Sequence, residues 1–193
     1  MRQSLSVTLF LCLINIFASS VLAQNEIAKD LVITLERTAC FGWCPSYTLT
    51  IKAEGTITLT PLGGVYRGQG KEPALPLKGT IEADRLTQLV SEFHKIRFYS
   101  LRGRYGRAEK SERSSSCPEY STDSPSATIS IAENGRRKTV SHYLGCKGAK
   151  ILDDLEALEN KIDELSNSQQ WIALYGWGTA NVLDLRIEKK PKD

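Results

Sequence analysis

The residues best suited to chemistry are four cysteines. Cys40 and Cys44 flank a glycine in the segment CFGWCPSY, and Cys117 and Cys146 follow later in the chain. Such residues could form a redox centre, bind a metal ion or pair as disulfides. Redox chemistry of the thioredoxin type uses Cys-x-x-Cys at a helix N-terminus, which lowers the pKa of the thiol. Here the spacing is one residue longer and a strand pattern follows, which does not favour redox chemistry.

The first residues of the chain have the three-part pattern of a secretory signal peptide. Arg2 precedes an apolar run from Val7 to Phe17, and small residues follow as far as Ala23. The pattern predicts that residues 1–23 are removed and that the chain is exported, to the periplasm or beyond the cell. A bilayer span needs roughly 20 apolar residues. No run after the cleavage site reaches that length, so we expect no transmembrane segment in the mature chain.

Export changes the interpretation of the cysteines. Three of them and His142 have spacings that could hold Zn²⁺ in a tetrahedral site. That set is Cys40, Cys44, His142 and Cys146, and it leaves Cys117 without a partner. Removal of residues 1–23 would also remove Cys12, the fifth cysteine of the sequence. The even number that remains instead indicates disulfides in an exported chain, although four cysteines allow three pairings. A glycine can close a tight ring at positive φ, which favours Cys40–Cys44 and would then join Cys117 to Cys146. The sequence alone leaves the connectivity open.

The charge of the chain excludes one class of partner. Residues 24–193 carry 24 basic and 22 acidic residues, a net charge of +2. Nucleic-acid-binding domains usually carry a strongly basic surface. We therefore expect no nucleic-acid partner.

No set of residues has the spacing of an active site. The chain has two histidines, His94 in a predicted helix and His142 in a predicted strand. It lacks a Gly-x-Ser-x-Gly elbow and a glycine-rich phosphate loop. Asp123, His142 and a serine of residues 114–116 could form a triad, but no spacing supports one. We predict no catalytic residues and no cofactor, and we keep a weak hydrolase with a pocket around His142 as an alternative.

A long basic loop is the best candidate for a binding surface. Residues 97–126 lack apolar periodicity, and a loop of this length in a compact domain is usually functional or disordered. Guanidinium groups suit the phosphate and carboxylate groups of envelope polymers and anionic lipids. We predict a surface formed by Arg102, Arg104 and Arg107 together with Trp43, at the tip of the first cysteine ring. The alternative is that residues 97–126 form a solvated loop with no binding role, held at one end through Cys117.

Two units of a hairpin and a helix are predicted to carry these residues. In the first unit, alternating apolar residues indicate strands over 31–36, 47–53 and 56–62. The spacing then changes to that of an amphipathic helix over about 82–96. The second unit has two strands joined by Asn134-Gly135, a strong hairpin signal, and a helix over about 149–165.

These elements predict an α+β fold, in which both helices pack on one face of an antiparallel sheet. By length, residues 24–193 form a single domain. Its core extends over about 31–171, and it carries the basic loop 97–126 and a C-terminal extension, 172–193, with one more edge strand.

The chain resembles a family of bacterial exported domains of unknown function that is recognised by Cys-x-Gly-x-Cys-Pro-x-Tyr. That motif is found here at residues 40–47. Further matches are TDSP at 122–125, VSHYLGC at 140–146 and LEALENKID at 155–163. The likeness extends over about 31–171. It implies one small α+β domain and no particular reaction, and the basic loop and the tail depart from it.

We therefore predict an exported, disulfide-stapled, non-enzymatic binding or structural module of the bacterial envelope, with no bound metal. Its partner would be an envelope protein or an anionic envelope component. A thiol-redox or metal-binding protein centred on Cys40 and Cys44 is the first alternative. The weak hydrolase is the second.

Overall fold

The computed structural model describes residues 26–42, 44–62, 75–106 and 117–174. Within these ranges the strands are β1 (Val32–Arg37), β2 (Tyr47–Lys52), β3 (Thr56–Pro61), β4 (Leu77–Thr80), β5 (Arg104–Tyr105), β6 (Glu119–Tyr120), β7 (Ser126–Glu133), β8 (Arg136–Tyr143) and β9 (Cys146–Lys147). The helices are α1 (Ala83–Lys95), α2 (Lys150–Ser166) and the short α3 (Gln169–Leu174), with a 3₁₀ turn at Phe98–Ser100. The predicted signal peptide and the predicted strand of the C-terminal extension lie outside these ranges.

Seven strands form one sheet, in the order β4-β3-β2-β1-β7-β8-β5. Every neighbouring pair is antiparallel except β5 and β8, which are parallel. The strands β6 and β9 form a separate two-stranded ribbon. The predicted hairpins and both predicted helices are present, and the α+β class is confirmed. The two units join through the pairing of β1 with β7.

The alternation of side chains along each strand decides which face of the sheet is buried. Two rows of aliphatic residues cross the inner face, and all of them are buried. The first row is Ile57, Ile51, Ile33 and Ile131, and the second is Leu77, Leu59, Leu49, Leu35, Ile129 and Val140. They belong to one core with the apolar faces of α1 and α2. Since each such side chain gains about 1.5–3 kcal/mol on burial, these rows account for the main stabilisation of the sheet.

The outer face of the sheet is rich in hydroxyl groups. Thr34 and Ser130, opposite each other on β1 and β7, are half-buried there, and their hydroxyl oxygens are 2.5 Å apart. Alternation of apolar and polar residues is typical of an antiparallel sheet that packs on one face only. No helix in the described part of the chain is long and apolar enough to cross a membrane.

The two ends of the sheet differ. At one end, here called the turn end, short turns join β2 to β3 and β7 to β8, with Gly55 and Gly135 at positive φ. At the other, the loop end, the longer connections follow β1, β3 and β5. Binding residues are often found on loops that a rigid sheet holds in place. A binding site is therefore expected at the loop end.

At the turn end, Asp30 fixes the turn between β7 and β8. Its carboxylate accepts hydrogen bonds from the backbone N–H groups of Asn134, at 2.8 Å, and Gly135, at 2.7 Å. The bond from Gly135, followed by that from Asn134, lowers the pKa of Asp30. A carboxyl group whose pKa is lower in the folded state stabilises the fold above its unfolded pKa of about 3.9, and this contribution is lost as the pH falls through the folded value.

We expect Asp30→Ala to lower the thermal midpoint at neutral pH because two backbone donors lose their acceptor. The difference in thermal midpoint between the variant and the unmodified protein should become smaller as the pH is lowered towards about 2, because Asp30 of the unmodified protein is then protonated. Thermal melts of both proteins across this range measure the difference. Glu54→Ala, an exposed acid at the neighbouring turn, is the matched control. A difference that does not change with pH would contradict the role of the charge.

Candidate functional site

The inner face of the sheet has a third row of side chains, nearest the loop end, and this row is largely polar. It crosses β2, β1, β7, β8 and β5 in the order Tyr47, Arg37, Ala127, His142 and Tyr105. Arg37 and His142 are both neighbours of Ala127, whose small side chain leaves space between them. The helix α2 supplies acidic side chains above this row.

Asp163 of α2 is the most strongly bonded acid of this group. Its Oδ1 accepts hydrogen bonds from the hydroxyls of Tyr47 and Ser168, both at 2.6 Å. Its Oδ2 accepts from Nε of Arg37 at 3.0 Å and lies 2.9 Å from Nη2 of the same guanidinium. A buried carboxylate needs several donors of this kind to remain ionised.

Glu159, one turn earlier on α2, contacts both Arg37 and His142. Its Oε1 accepts a hydrogen bond from Nδ1 of His142 at 2.9 Å, and its Oε2 lies 3.6 Å from Nη1 of Arg37. The imidazole and the carboxylate are both buried. Because Nδ1 faces an acceptor, a neutral imidazole has its lone pair on Nε2. Among the described residues, no group hydrogen-bonds to that Nε2. We call Arg37, Tyr47, His142, Glu159 and Asp163 the buried polar network.

The network shifts the pKa values of Arg37 and Tyr47. Burial disfavours the charged form of Arg37, but the facing Asp163, Tyr47 and Glu159 outweigh burial and raise the pKa of the guanidinium. Burial, and then the negative charge of Asp163, raise the pKa of Tyr47 well above its usual range. The phenol therefore stays protonated and continues to donate to Asp163. Arg37 is left as the fixed positive charge between two buried acids.

On the outer face, at the same corner of the sheet, there is a polar cleft of about 330 Å³. Its lining consists of Arg104, Tyr105, Gly106, Tyr120, Ser126, Ser141 and Tyr143. Arg104 is the sheet neighbour of Ser141, and Ser126 is the neighbour of Tyr143. We call this feature the loop-end cleft. The polar network on the inner face lies behind the strands that form its floor.

The tyrosine walls of the loop-end cleft are held by specific contacts. The hydroxyl of Tyr143 accepts a hydrogen bond from the backbone N–H of Ser124 at 3.2 Å and donates one to the carbonyl of Ser121 at 2.9 Å. The ring of Tyr120 lies 5.5 Å from that of Tyr143. Tyr120 pairs with Cys146 in the β6–β9 ribbon. The position of Tyr120 therefore depends on this ribbon.

Two disulfides are present, as the even number of cysteines indicates, and both lie at the loop end. Cys40–Cys44 closes a short ring in which Gly42 has a φ of 140°. The backbone N–H of Phe41 donates to the carbonyl of Asp123, which fixes the ring on the loop before β7. Cys117–Cys146 is buried and links the start of the β6–β9 ribbon to its second strand.

The disulfides and the contact between His142 and Glu159 bear on the metal-binding and hydrolase alternatives. The sulfurs that would bind Zn²⁺ are bonded to other sulfurs, and His142 is paired with Glu159. In the structure the acid that contacts His142 is Glu159. Asp123, the acid of the triad considered from the sequence, lies exposed in a loop. The serines of that triad, residues 114–116, lie outside the described residues.

The predicted binding residues separate into two groups. Arg104 is exposed and lines the loop-end cleft, and Arg102 is exposed two residues earlier. The backbone N–H of Arg102 donates to the hydroxyl of Tyr105 at 3.1 Å, which holds the backbone of Arg102 next to β5. Trp43 and Arg107 lie outside the described residues, so their part in the surface stays a prediction.

A second cleft, of about 250 Å³, lies at the turn end and contains the other histidine. Nε2 of His94 lies 2.9 Å from Oε1 of Glu133, a buried acid at the end of β7. Burial, and then the negative charge of Glu133, raise the pKa of the nearby Tyr99 to about 12. Each histidine of the chain thus has a glutamate partner that the sequence did not reveal.

Sequence reasoning did not single out Arg37, Glu159 or Asp163. The two acids lie four residues apart on the buried face of α2, among Leu155, Leu158 and Ile162. Charged residues on an otherwise apolar helix face are seldom buried without partners. That irregularity was the available signal for the network.

The chain is similar to one described family. A family model described as "Domain of unknown function (DUF6438)" matches residues 31–166. The matched range begins just before β1 and ends with α2, so it includes both disulfides, the buried polar network and the loop-end cleft. No curated protein matches the chain.

Proposed function

The chain belongs to this family of domains of unknown function, and we propose that it is an exported binding module of the bacterial envelope. In this proposal two disulfides stabilise the module. Its loop end contacts an anionic component of the envelope, with Arg104 as the central positive charge.

The observation that carries the proposal is the concentration of exposed apolar and polar binding groups at the loop end. In the described part of the chain, every exposed large hydrophobic side chain lies there. These residues are Phe41, Leu62, Leu75 and Tyr120. Leu62 and Leu75 lie beside β3 and β4, whereas Tyr120 lies beside β8, so these side chains are spread along the loop end. Exposed apolar surface concentrated at one end favours that end as a contact surface. The loop-end cleft and its arginine lie at the same end.

Phe41 supports the proposal most directly. Its side chain is 90% exposed although the disulfide ring holds its backbone in place. A side chain on a constrained loop loses little conformational entropy when it binds, and buried aromatic residues are frequent anchors of interfaces. The ring thus has the properties of a preorganised contact.

Export is supported by the sulfur chemistry. Disulfides persist in oxidising compartments outside the cytoplasm and are rare inside it. Two disulfides among the described residues therefore fit the signal peptide pattern of residues 1–23.

The proposal predicts that Arg104→Ala weakens retention of the mature protein on isolated envelope material. We expect a loss of roughly threefold to tenfold at low salt, because one charge-assisted contact is removed. The loss should shrink as salt screens the interaction. Co-sedimentation of the protein with envelope material over a salt series measures it.

Arg137→Ala is the matched control because Arg137 is also an exposed strand arginine, near the turn end of the sheet. Both variants lose one positive charge, so a general effect of net charge would appear in both. Retention that Arg104→Ala leaves unchanged, or that both variants reduce equally, would contradict a contact at the loop end.

A further inference from the structure

We infer that the loop-end cleft binds an acidic saccharide, a sugar ring that carries a carboxylate group. This inference rests on the proposed function and names the chemical class of its ligand. It follows from the size of the cleft, from the hydroxyls of its floor, from its aromatic wall and from the guanidinium at its rim.

The size of the cleft limits the ligand to about one sugar ring. Its volume of about 330 Å³ lies at the lower end of the range for small-molecule sites. Arg104 and Tyr120 are exposed at the rim, so further units of a polymer could extend into solvent. A site of this kind suits one residue of a longer chain.

The floor offers groups that match sugar hydroxyls. Ser126 and Ser141 are half-buried and face the cleft. A hydroxyl can donate one hydrogen bond and accept two, as the hydroxyls of a sugar can. Oγ of Ser141 accepts from the hydroxyl of Thr128 at 3.5 Å, which leaves its own proton for a ligand.

The wall offers flat apolar surface next to this floor. The rings of Tyr120 and Tyr143 are inclined at 31° to one another, and the hydroxyl of Tyr143 is already engaged with the backbone. The ring of Tyr143 is therefore fixed in position. Tyrosine combines an apolar ring face with a polar edge. The carbon-bound hydrogens on one face of a sugar can pack against such rings while its hydroxyls reach the serines.

The rim supplies the charge that selects an acid. Arg104 lies beside Ser141 in the pairing of β5 with β8, so a group bound to its guanidinium is close to the floor. The guanidinium is planar and can donate two parallel hydrogen bonds to a carboxylate. A neutral sugar would leave these donors to water. The arrangement thus favours a sugar with its carboxylate towards Arg104.

The test titrates the mature protein, with both disulfides intact, with D-glucuronate, D-glucose, acetate and glucose 6-phosphate, and follows amide chemical shifts by NMR. We expect glucuronate to bind at least about tenfold more tightly than glucose or acetate. The shifts should concentrate at Tyr120, Ser141 and Tyr143. Equal binding of glucose and glucuronate, or shifts elsewhere, would overturn the inference. Tighter binding of glucose 6-phosphate would overturn the carboxylate assignment.

Three variants assign the contacts. Arg104→Gln should bring glucuronate down to the affinity of glucose, and Tyr120→Leu should weaken glucuronate and glucose alike. Arg137→Gln, outside the cleft, should change neither. Circular dichroism of each variant verifies that it is folded. If Arg104→Gln keeps the preference for glucuronate, the guanidinium does not bind the carboxylate and the inference fails.

The envelope assay separates this inference from the proposed function. If retention depends on Arg104 while glucuronate neither competes nor shifts the cleft, the saccharide is wrong and the binding module stands. If glucuronate binds at the cleft while retention does not depend on Arg104, the saccharide site stands and the proposed role of the cleft in the envelope fails.

Discussion

Arg37→Met should lower the free energy of unfolding by about 3–5 kcal/mol, the usual cost of removing one partner from a buried ion pair. Methionine keeps most of the length of the side chain but has no charge and no donors. Asp163 would lose two contacts with the guanidinium, at 3.0 and 2.9 Å. Glu159, which is fully buried, would lose the guanidinium and keep His142 as its hydrogen-bond partner among the described residues.

The loss of stability in Arg37→Met depends more on the burial of the two acids than on their attraction to the guanidinium. In water an ion pair contributes about 1 kcal/mol or less, because solvent screens it and hydrates each charge when they separate. In the network neither acid can regain water unless the fold opens. The cost of Arg37→Met is therefore the cost of an uncompensated charge, and it does not measure the net contribution of the intact pair.

Urea denaturation followed by circular dichroism measures the change, with Arg85→Met as the matched control. Nη2 of Arg85 donates to the carbonyl of Glu164 at 3.0 Å in an exposed position. Its removal should cost no more than about 1 kcal/mol. If Arg37→Met costs no more than Arg85→Met, the buried polar network does not stabilise the fold in this way.

A double-mutant cycle tests the mechanism. Asp163→Asn removes the charge but keeps the oxygen that accepts from Tyr47. In the Asp163→Asn background residue 163 has no charge. Arg37→Met then leaves one fewer uncompensated buried charge than it leaves in the unmodified protein. We therefore expect Arg37→Met with Asp163→Asn to cost clearly less than the sum of the two single changes. Strictly additive costs would show that the two side chains do not act as a pair.

The elements that could be predicted are those with local patterns. The helices expected over about 82–96 and 149–165 are Ala83–Lys95 and Lys150–Ser166. Their apolar residues repeat every three or four positions, so the pattern is complete within the segment itself. The turn at Asn134-Gly135 could also be predicted locally, because Asn-Gly readily adopts the positive φ that a two-residue hairpin turn requires. Both residues have positive φ in the structure.

The elements that were missed are short or depend on distant partners. β5 and the two strands of the β6–β9 ribbon have two residues each, too few to show alternation. β5 is also parallel to β8, and a parallel pair requires a long connection that no local signal marks. Such strands form because tertiary contacts already hold the chain there: β8 lies beside β5, and the Cys117–Cys146 disulfide joins the two sides of the ribbon.

The buried polar network could not be predicted for the same reason. Arg37 and Asp163 are 126 residues apart in the sequence, and only the packing of α2 on β1 brings them together. Tyr47 was noticed as part of a motif, and His142 as a candidate ligand. Their actual partners follow from the register of β1, β2, β7 and β8, and the register of the sheet is a property of the whole fold.

Removing the Cys117–Cys146 disulfide should have the second large effect. The bridge closes a loop of about 30 residues, since its cysteines are 29 positions apart. The entropy lost by the unfolded chain then stabilises the fold by about 3–4 kcal/mol. The ring of Cys40–Cys44, with a separation of 4, should contribute only about 2 kcal/mol by the same argument.

The two bridges are therefore controls for each other. We expect the double variant Cys117→Ala/Cys146→Ala to lose more stability in urea than Cys40→Ala/Cys44→Ala, by about 1–2 kcal/mol. Intact mass with and without alkylation should first show that the unmodified exported protein has no free thiols. Free thiols, or a bound zinc ion, would instead support the thiol or metal alternative. Equal losses would mean that loop length does not decide the contribution of each bridge.

The same pair of variants separates stability from binding. Cys117–Cys146 holds the ribbon that positions Tyr120, whereas Cys40–Cys44 holds the backbone around the exposed Phe41. We expect loss of the first bridge to weaken both the fold and the affinity of the cleft for glucuronate. Loss of the second should leave glucuronate binding at the cleft intact and reduce retention on envelope material, because the ring side chain would lose its fixed position. If both variants reduced glucuronate binding equally, the cleft and the ring would not be separate contacts, and the loop end would act as one cooperative surface.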